Sequence, residues 1–510
     1  MPLPDLDIFE KLRGIFTPVT DIRRKVLIEV AKMVTQGKET DYVETLPYTI
    51  IRKNTPTYRE SVFRERAVVR ERVRLALGLD LKEFGAHAPI IDDAGPALVS
   101  NKVIAEPLIN IIKIGCQQCP EKSYFVSDCC MGCMAHPCVP VCPKSAVAMI
   151  GGKSFIDQGL CIKCGRCMQV CPYGAILYRE RPCASACGVG AIRSDAEGFA
   201  DIDYEVCVSC GLCIVSCPFG AIGEKSEIVQ VLLSIKKGDR VYAELAPSFV
   251  GQFGPLVKPE NIKKALSLIG FTGIAEVANG ADLAIIDESR KLQSLVADIS
   301  IDGGCAFVGT SCCPSWVLAA RRAHPDMARY ISDSYTPMVE TARRIKEADE
   351  GARVVFIGPC VSKKMECFNP LVSEFVDFVI TFEELAALFL AKNVDPSGVS
   401  EEESIGTASA AGRSYPVAGN VIQAILGQYR KNVNSSADIP HASADTLKDC
   451  LDLLNKIEKK RIVPQPLLVA GMACPHGCIG GPGTLAPLNR AKAEVEAFAK
   501  KAPFQLPIVE

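Results

Sequence analysis

Seventeen cysteines fall between residues 116 and 217, and eight more are spread over the rest of the chain. Two stretches, CIKCGRCMQVCPYGAI (161–176) and CVSCGLCIVSCPFGAI (207–222), share the spacing C-x2-C-x2-C-x3-C-P. Thiolates so spaced can wrap a 4Fe–4S cube: three hold one cluster, and the fourth, ahead of the proline, reaches a neighbouring one. The two copies form an internal repeat. A zinc ribbon would instead separate two C-x2-C pairs by a longer spacer. The five histidines show no H-x3–5-H pairing, so mixed Cys/His zinc sites are not expected.

Each run needs partners upstream. CCMGCMAHPCVPVCPKSAV (129–147) supplies them for the first: Cys130, Cys133 and Cys138 join Cys171, and Cys142 joins Cys161, Cys164 and Cys167. Cys129 is an alternative to Cys130. Upstream of the second run stands PCASACGVGAI (182–192), where Cys187 precedes GVGAI as Cys171 precedes PYGAI, and so joins Cys207, Cys210 and Cys213. Cys183 and Cys217 remain two ligands short. Cys116 and Cys119, in IGCQQCP, complete a fourth set unless they are merely buried thiols. The expectation is three to four accessory 4Fe–4S clusters.

These cysteines must sit in a folded, reduced protein. With 48% apolar and 23% charged residues and a net charge of −2, the chain has material for a real core and no basic surface for nucleic acid. The opening MPLPDLDIFEKLRGIF lacks the apolar stretch of a signal peptide, and no run is long enough to span a membrane. A cytoplasmic location is expected, because C-x-x-C spacing in a reducing compartment reads as metal ligation.

Helical periodicity marks 21–34 and 58–79. The arginines of the second segment alternate with Glu and Val and are expected to form a solvated, salt-bridged face. The division expected is a helical N-terminal region at 1–110, a ferredoxin-like domain with two 4Fe–4S clusters at 111–178, a second ferredoxin-like unit at 179–228, and a catalytic domain at 229–510. From about 229 apolar strands alternate with helices. Strands are expected at 240–249, 305–312, 353–360, 377–382 and 466–474, and helices at 281–299, 443–460 and 489–502. This is α/β, with mostly parallel sheet and helices, joined to α+β ferredoxin-like domains.

Three of these strands run into cysteine: Cys312/Cys313, Cys360 and Cys474. Sites in open α/β sheets form beyond the carboxyl ends of strands. Cys313, Cys360, Cys474 and nearby Cys478 are thus placed to converge as four thiolates from three separate loops. Cys305, Cys367 and Cys450 read as plain buried thiols.

TSCCPSW (310–316), PCVSKKMEC (359–367) and MACPHGCIGGPG (472–483) resemble the three signature loops of iron–iron (FeFe) hydrogenases, and the resemblance covers about 230–495. It implies an H-cluster, a 4Fe–4S cube joined to a two-iron unit bearing CO, cyanide and azadithiolate. Cys313, Cys360, Cys474 and Cys478 would hold the cube, with Cys478 bridging to the two-iron unit. Cys312 would be the free thiol that passes protons, and Pro314 and Trp316 would lock the turn. Lys363 would donate to a cyanide, Ala246, Pro247 and Ser248 would form the second cyanide-binding loop, and Met472 would pack at the two-iron unit. Glu288 and Ser332 match the proton route, but Lys291 stands where its second glutamate is usual. Glu366 matches a supporting glutamate. Other departures are Gly358 ahead of Pro359-Cys360, Ala470, Pro482 and His476, the last either a donor near the cube or a surface turn residue.

The resemblance implies a hydrogenase that interconverts H2 with protons and electrons. Its partners would be ferredoxin or a similar small electron carrier and the FeFe hydrogenase maturation proteins. An H2-sensing protein, and an iron–sulfur assembly or scaffold protein lacking the two-iron unit, are the alternatives. Retention of Cys312, Lys363 and Met472 speaks against the second.

Overall fold

The computed structural model describes residues 17–86, 89–298, 306–399, 406–434 and 438–508. Its C-terminal half holds two parallel sheets. The first runs in the order Gly273–Glu276, Val241–Leu245, Arg353–Gly358, Phe378–Thr381. The two inner strands are covered on both faces, which is why they read as near-continuous apolar runs: Val241, Val354, Val355 and Ile357 are fully buried. The second sheet runs Val308–Gly309, Leu468–Met472, His441–Asp445. Helices Val277–Asp298, Pro337–Ala348, Phe382–Ala391 and Leu488–Lys500 pack around these sheets.

The strands Gly273–Glu276 and His441–Asp445 were not expected. Both are short edge strands, and HASAD carries no apolar alternation. The strand expected over 305–312 is confined to Val308–Gly309, where Gly309 bridges Ile331. Cys305 lies outside the described residues. Cys367 and Cys450 are buried, as expected of plain thiols.

The cysteine-rich half is built from two-stranded antiparallel sheets. Ser123–Val126 pairs with Ile176–Arg179 and closes the first ferredoxin unit. Ile109–Ile111 pairs with Ile222–Glu224 and closes the second. This pairing differs from the expected division at 111 and 179. The segment carrying Cys116 and Cys119 belongs with the second unit, and the whole first unit is inserted into it.

The helical N-terminal segments form at Pro18–Thr35 and Val62–Ala76. The first packs on the catalytic region, where Arg23 (2.8 Å) and Arg24 (2.9 Å) both meet the buried Glu383. The expectation of a solvated, salt-bridged arginine face on the second holds only in part, at Arg64 with Glu60 and Arg70 with Glu44. Arg72 and Arg74 are buried, and Arg59, Arg64 and Arg72 donate to backbone carbonyls of the second ferredoxin unit. A repeating Arg/Glu pattern looks solvated in sequence because it does not show that bare carbonyls of a neighbouring loop await it. No described helix is long and apolar enough to cross a membrane.

Candidate functional site

The accessory thiols stand on a turn repeated in all four sets. The residue just before the second cysteine of the leading C-x-x-C in each set has positive φ: Gln118 (48°), Gly132 (59°), Lys163 (59°) and Ser209 (50°). Each cysteine that closes a set receives an N–H from the alanine four residues on: Ala146 to Cys142 (3.2 Å), Ala175 to Cys171 (3.4 Å), Ala191 to Cys187 (3.2 Å) and Ala221 to Cys217 (3.4 Å). Ser154 N donates to Cys130 Sγ at 3.4 Å, and Ala200 N donates to Cys116 Sγ at 3.5 Å. Cys116 is thus the structural counterpart of Cys130, and the C-x-x-C turn starts at Cys130 rather than at the exposed Cys129. N–H groups aimed at sulfur are what a cluster-bearing thiolate needs.

Cys130, Cys133, Cys138 and Cys171 line one small cavity, and Cys116, Cys119, Cys183 and Cys217 line another. Cys142, Cys161 and Cys167 pack together, with Cys164 beside Cys167. Burial, together with Cys187 and Cys207, pushes the Cys210 thiol up to about 12, and Cys213 lies in the same group.

An apolar cavity lies beyond the carboxyl ends of the strands. Cys312, Cys313, Cys360, Cys474 and Cys478 all line it, with Ala246, Pro247, Ser248, Lys363 and Met472. The three far-apart loops therefore meet. Cys313 caps the helix Pro314–Ala323, and its sulfur accepts from Ala473 N at 3.4 Å. Trp316 is fully buried, donates to Thr310 O at 3.1 Å and lies flat against Gly471, where a Cβ would meet the ring at 2.3 Å. Gly481 lets the third loop approach Pro359 O, which a Cβ would meet at 2.6 Å.

Burial raises the thiols here. It is the main cause of pushing Cys313 to about 11, Cys478 to about 12 and Cys474 well above its usual range, and the neighbouring cysteines add to each. Such a donor set suits a cationic iron cluster rather than bare thiolates. Cys312 is raised well above its ordinary value by burial, then by Glu288, so it stays a thiol. Lys363 donates to Glu366 at 2.6 Å, and Glu366 accepts from Thr336 Oγ1 at 2.8 Å.

Glu288 is buried, accepts from Ser311 N (2.9 Å) and Ser311 Oγ (3.2 Å), and is pushed up to about 7, chiefly by burial. Its Oε2 has no partner. Ser332 lies outside the cavity lining and is fixed to the same strand end, its N–H donating to Gly309 O at 2.7 Å. Lys291 donates to Ser332 (3.1 Å) and Ser334 (2.8 Å) and pairs with Asp287 (3.1 Å) and Asp333. His476 is an exposed turn residue with φ +61°, its N–H held by Asp445 at 2.7 Å.

Several residues went unnoticed in the sequence. Tyr415 lines the cavity, and its buried hydroxyl has no partner in good geometry and faces the Cys312 thiol. Nothing in GRSYPVAG marks it. Glu244 is buried with both oxygens unpartnered, and burial raises it well above the usual carboxylate range. Cys210 also lines the same cavity, so one accessory set abuts it. Ser315 Oγ donates to Val208 O at 2.9 Å and fixes that contact.

The family described as iron only hydrogenase large subunit, C-terminal domain, matches residues 239–482, and 4Fe-4S binding domains match 155–177 and 200–223. The NADP-reducing hydrogenase subunit HndD of Solidesulfovibrio fructosivorans is 29% identical over 374 residues, 64% of this chain and 56% of that protein. Iron hydrogenase 1 of Clostridium pasteurianum is 29% identical over 313 residues, 56% of this chain and 53% of that protein. The C-terminal half of the chain is thus similar to FeFe hydrogenases, and its cysteine-rich segment to 4Fe–4S binding domains. Its relatives also include the cytosolic Fe-S cluster assembly factor NAR1 of Meyerozyma guilliermondii, 32% identical over 133 residues and 24% of each chain. The chain spans about half the length of the two hydrogenases it matches.

Proposed function

We propose that this chain is an FeFe hydrogenase that interconverts H2 with two protons and two electrons. The observation that carries the reading is the shared cavity. Four thiols drawn from three loops line it beside a fifth, Cys312, whose neighbours are Glu288 and Tyr415 rather than another ligand set. Orphaned polar atoms, Ser248 Oγ in the lining and Glu288 Oε2 behind Cys312, fit a polar group bound there. Cys313, Cys360, Cys474 and Cys478 would hold the H-cluster, and Ala246, Pro247, Ser248, Lys363 and Met472 would receive its two-iron end. When bound, that cofactor supplies the irons at which H2 is split or formed.

The chain's own residues handle the protons. Cys312 exchanges a proton with the bound group and with Glu288, whose raised pKa suits it to give and take near neutrality. Outside Glu288 the route follows Ser332, Ser334 and Asp287. Ser332 and Ser334 hydroxyls are 2.6 Å apart, and Ser334 donates to the half-exposed Asp287. Lys291, held as a cation by Asp333 and Asp287 against its own burial, clamps this chain rather than relaying protons. Cys210's set would hold the accessory cluster next to the cavity, and the remaining sets, three to four clusters in all, would carry electrons to or from ferredoxin or a similar carrier in the cytoplasm. Maturation proteins would install the two-iron unit.

An assembly or scaffold role has the NAR1 likeness in its favour, but that match spans a quarter of the chain. Infrared spectra of protein matured without oxygen separate the two. Bands from CO and cyanide, with H2 turnover lost in Cys312→Ser, are expected for the hydrogenase. Their absence from fully iron-loaded, matured protein would leave the assembly reading.

A further inference from the structure

Around the cavity of Cys116, Cys119, Cys183 and Cys217 four guanidinium groups close on the ligand loops. Arg64 donates to Ile114 O (2.7 Å) and Cys116 O (3.1 Å). Arg59 donates to Phe219 O, and Arg72 to Gly220 O, in the turn that follows Cys217. Arg181 donates to Cys119 O at 2.8 Å and lines the cavity itself. Three of the four come from the N-terminal segment 58–79, outside the ferredoxin unit.

Among the described residues, the structurally matching cavity of Cys130, Cys133, Cys138 and Cys171 has no such collar. The corresponding loop there receives an exposed lysine, Lys153, which donates to Asp128 O at 3.3 Å. Met131, Met134 and Tyr173 lie exposed around it. The carboxyls near the collar offset it only in part. Glu60 pairs with Arg64 at the surface, the buried Glu65 accepts from the Arg59 N–H at 2.9 Å and, against its burial, is held below the usual carboxylate range by backbone N–H groups, and Glu224 is partly buried and raised above that range, chiefly by burial. Arg72, though lowered to about 10 mainly by burial, remains charged at neutral pH.

We infer that the arginine collar sets the cluster of Cys116, Cys119, Cys183 and Cys217 at a more positive potential than its structural counterpart at Cys130, Cys133, Cys138 and Cys171, so that an electron rests there next to the centre that abuts the cavity of Cys312. Reduction adds a negative charge to the cube, and fixed cations in a water-poor surround stabilise the reduced form most. Burial alone would act the other way, and the collar reverses it. The set lies beside the proximal group, since Cys116, Cys183 and Cys213 share one buried cluster against which Cys187, Cys207 and Cys217 pack. The inference rests on reading this cavity as a 4Fe–4S site.

The test is an EPR-monitored redox titration of the full, cluster-loaded chain, with iron counted in each sample. In the parent, the collared cluster is reduced ahead of its counterpart. In Arg72→Gln and Arg181→Gln that cluster alone shifts, its reduced-to-oxidised ratio at fixed potential falling roughly tenfold, or about 59 mV for one electron. Arg72→Lys, which keeps the charge, restores most of it. Arg59→Gln, at a partly exposed position, carries the same test where Arg72→Gln does not accumulate. Unchanged potentials with full iron content overturn the collar's role. A parent whose iron falls one cube short overturns the reading of the cavity itself.

Discussion

Cys161, Cys164 and Cys167 sit on one loop, whereas Cys313, Cys360, Cys474 and Cys478 come from three loops that only the parallel sheets bring together. In the first case the local turn is sufficient: a positive-φ residue inside each C-x-x-C and an alanine N–H four residues past each closing cysteine recur in every set. In the second, Trp316 against Gly471 and Gly481 against Pro359 decide whether the loops meet at all. Electron-carrying sites can therefore be repeated and moved as short segments. The catalytic cavity is a property of the whole domain and is exposed to damage anywhere in it.

Several changes would sharpen or break this contrast. Cys312→Ser is expected to lower H2 turnover roughly a thousandfold while leaving accessory iron unchanged, as general acid–base contributions of this kind suggest; retained turnover would remove Cys312 from the route. Gly471→Ala drives a methyl into the Trp316 ring and should cost about 3 kcal/mol in the catalytic half, read as a lowered Tm. The accessory EPR signals should survive it, and their loss would mean that the two regions are not independent.

Glu288→Gln tests the buried carboxyl. Its folded pKa, about 7, exceeds its ordinary 4.5, so the folded chain binds more protons between those values. Stability is full below pH 4.5 and declines as pH rises towards 7, by up to about 3 kcal/mol. The glutamine variant should flatten that decline in thermal melts. Asp287→Asn is expected to slow H2 turnover about tenfold and to change its pH profile, by interrupting the outer proton chain. The smallest effect belongs to Cys129→Ser, which should leave the iron content unchanged, whereas Cys130→Ser should lower it.

The accessory sets were legible because their chemistry is local and the spacing itself encodes it. The sheet strands were legible where burial on both faces made them apolar, as at 353–358, and were missed where they lay at an edge, as at 441–445. The cavity cysteines stood out first as the ends of apolar strands and then through the three signature loops, because a parallel sheet gathers its strand ends on one side. Tyr415 and the Asp287–Ser334 pair left no trace because their importance lies in what faces them. The buried arginines of 58–79 were misread for the same reason: a cation's partner can be a carbonyl more than a hundred residues away.

The pairing of Ser123 with Arg179 places the two ends of the first ferredoxin unit side by side on neighbouring strands, about 5 Å apart. A chain that leaves and re-enters at one point can lose or gain the intervening stretch without moving either flank. Excising 123–179 and joining the stubs with a short linker would yield a shorter wire with an unaltered terminus, and grafting a different carrier module at the same junction would rewire the protein to another electron source.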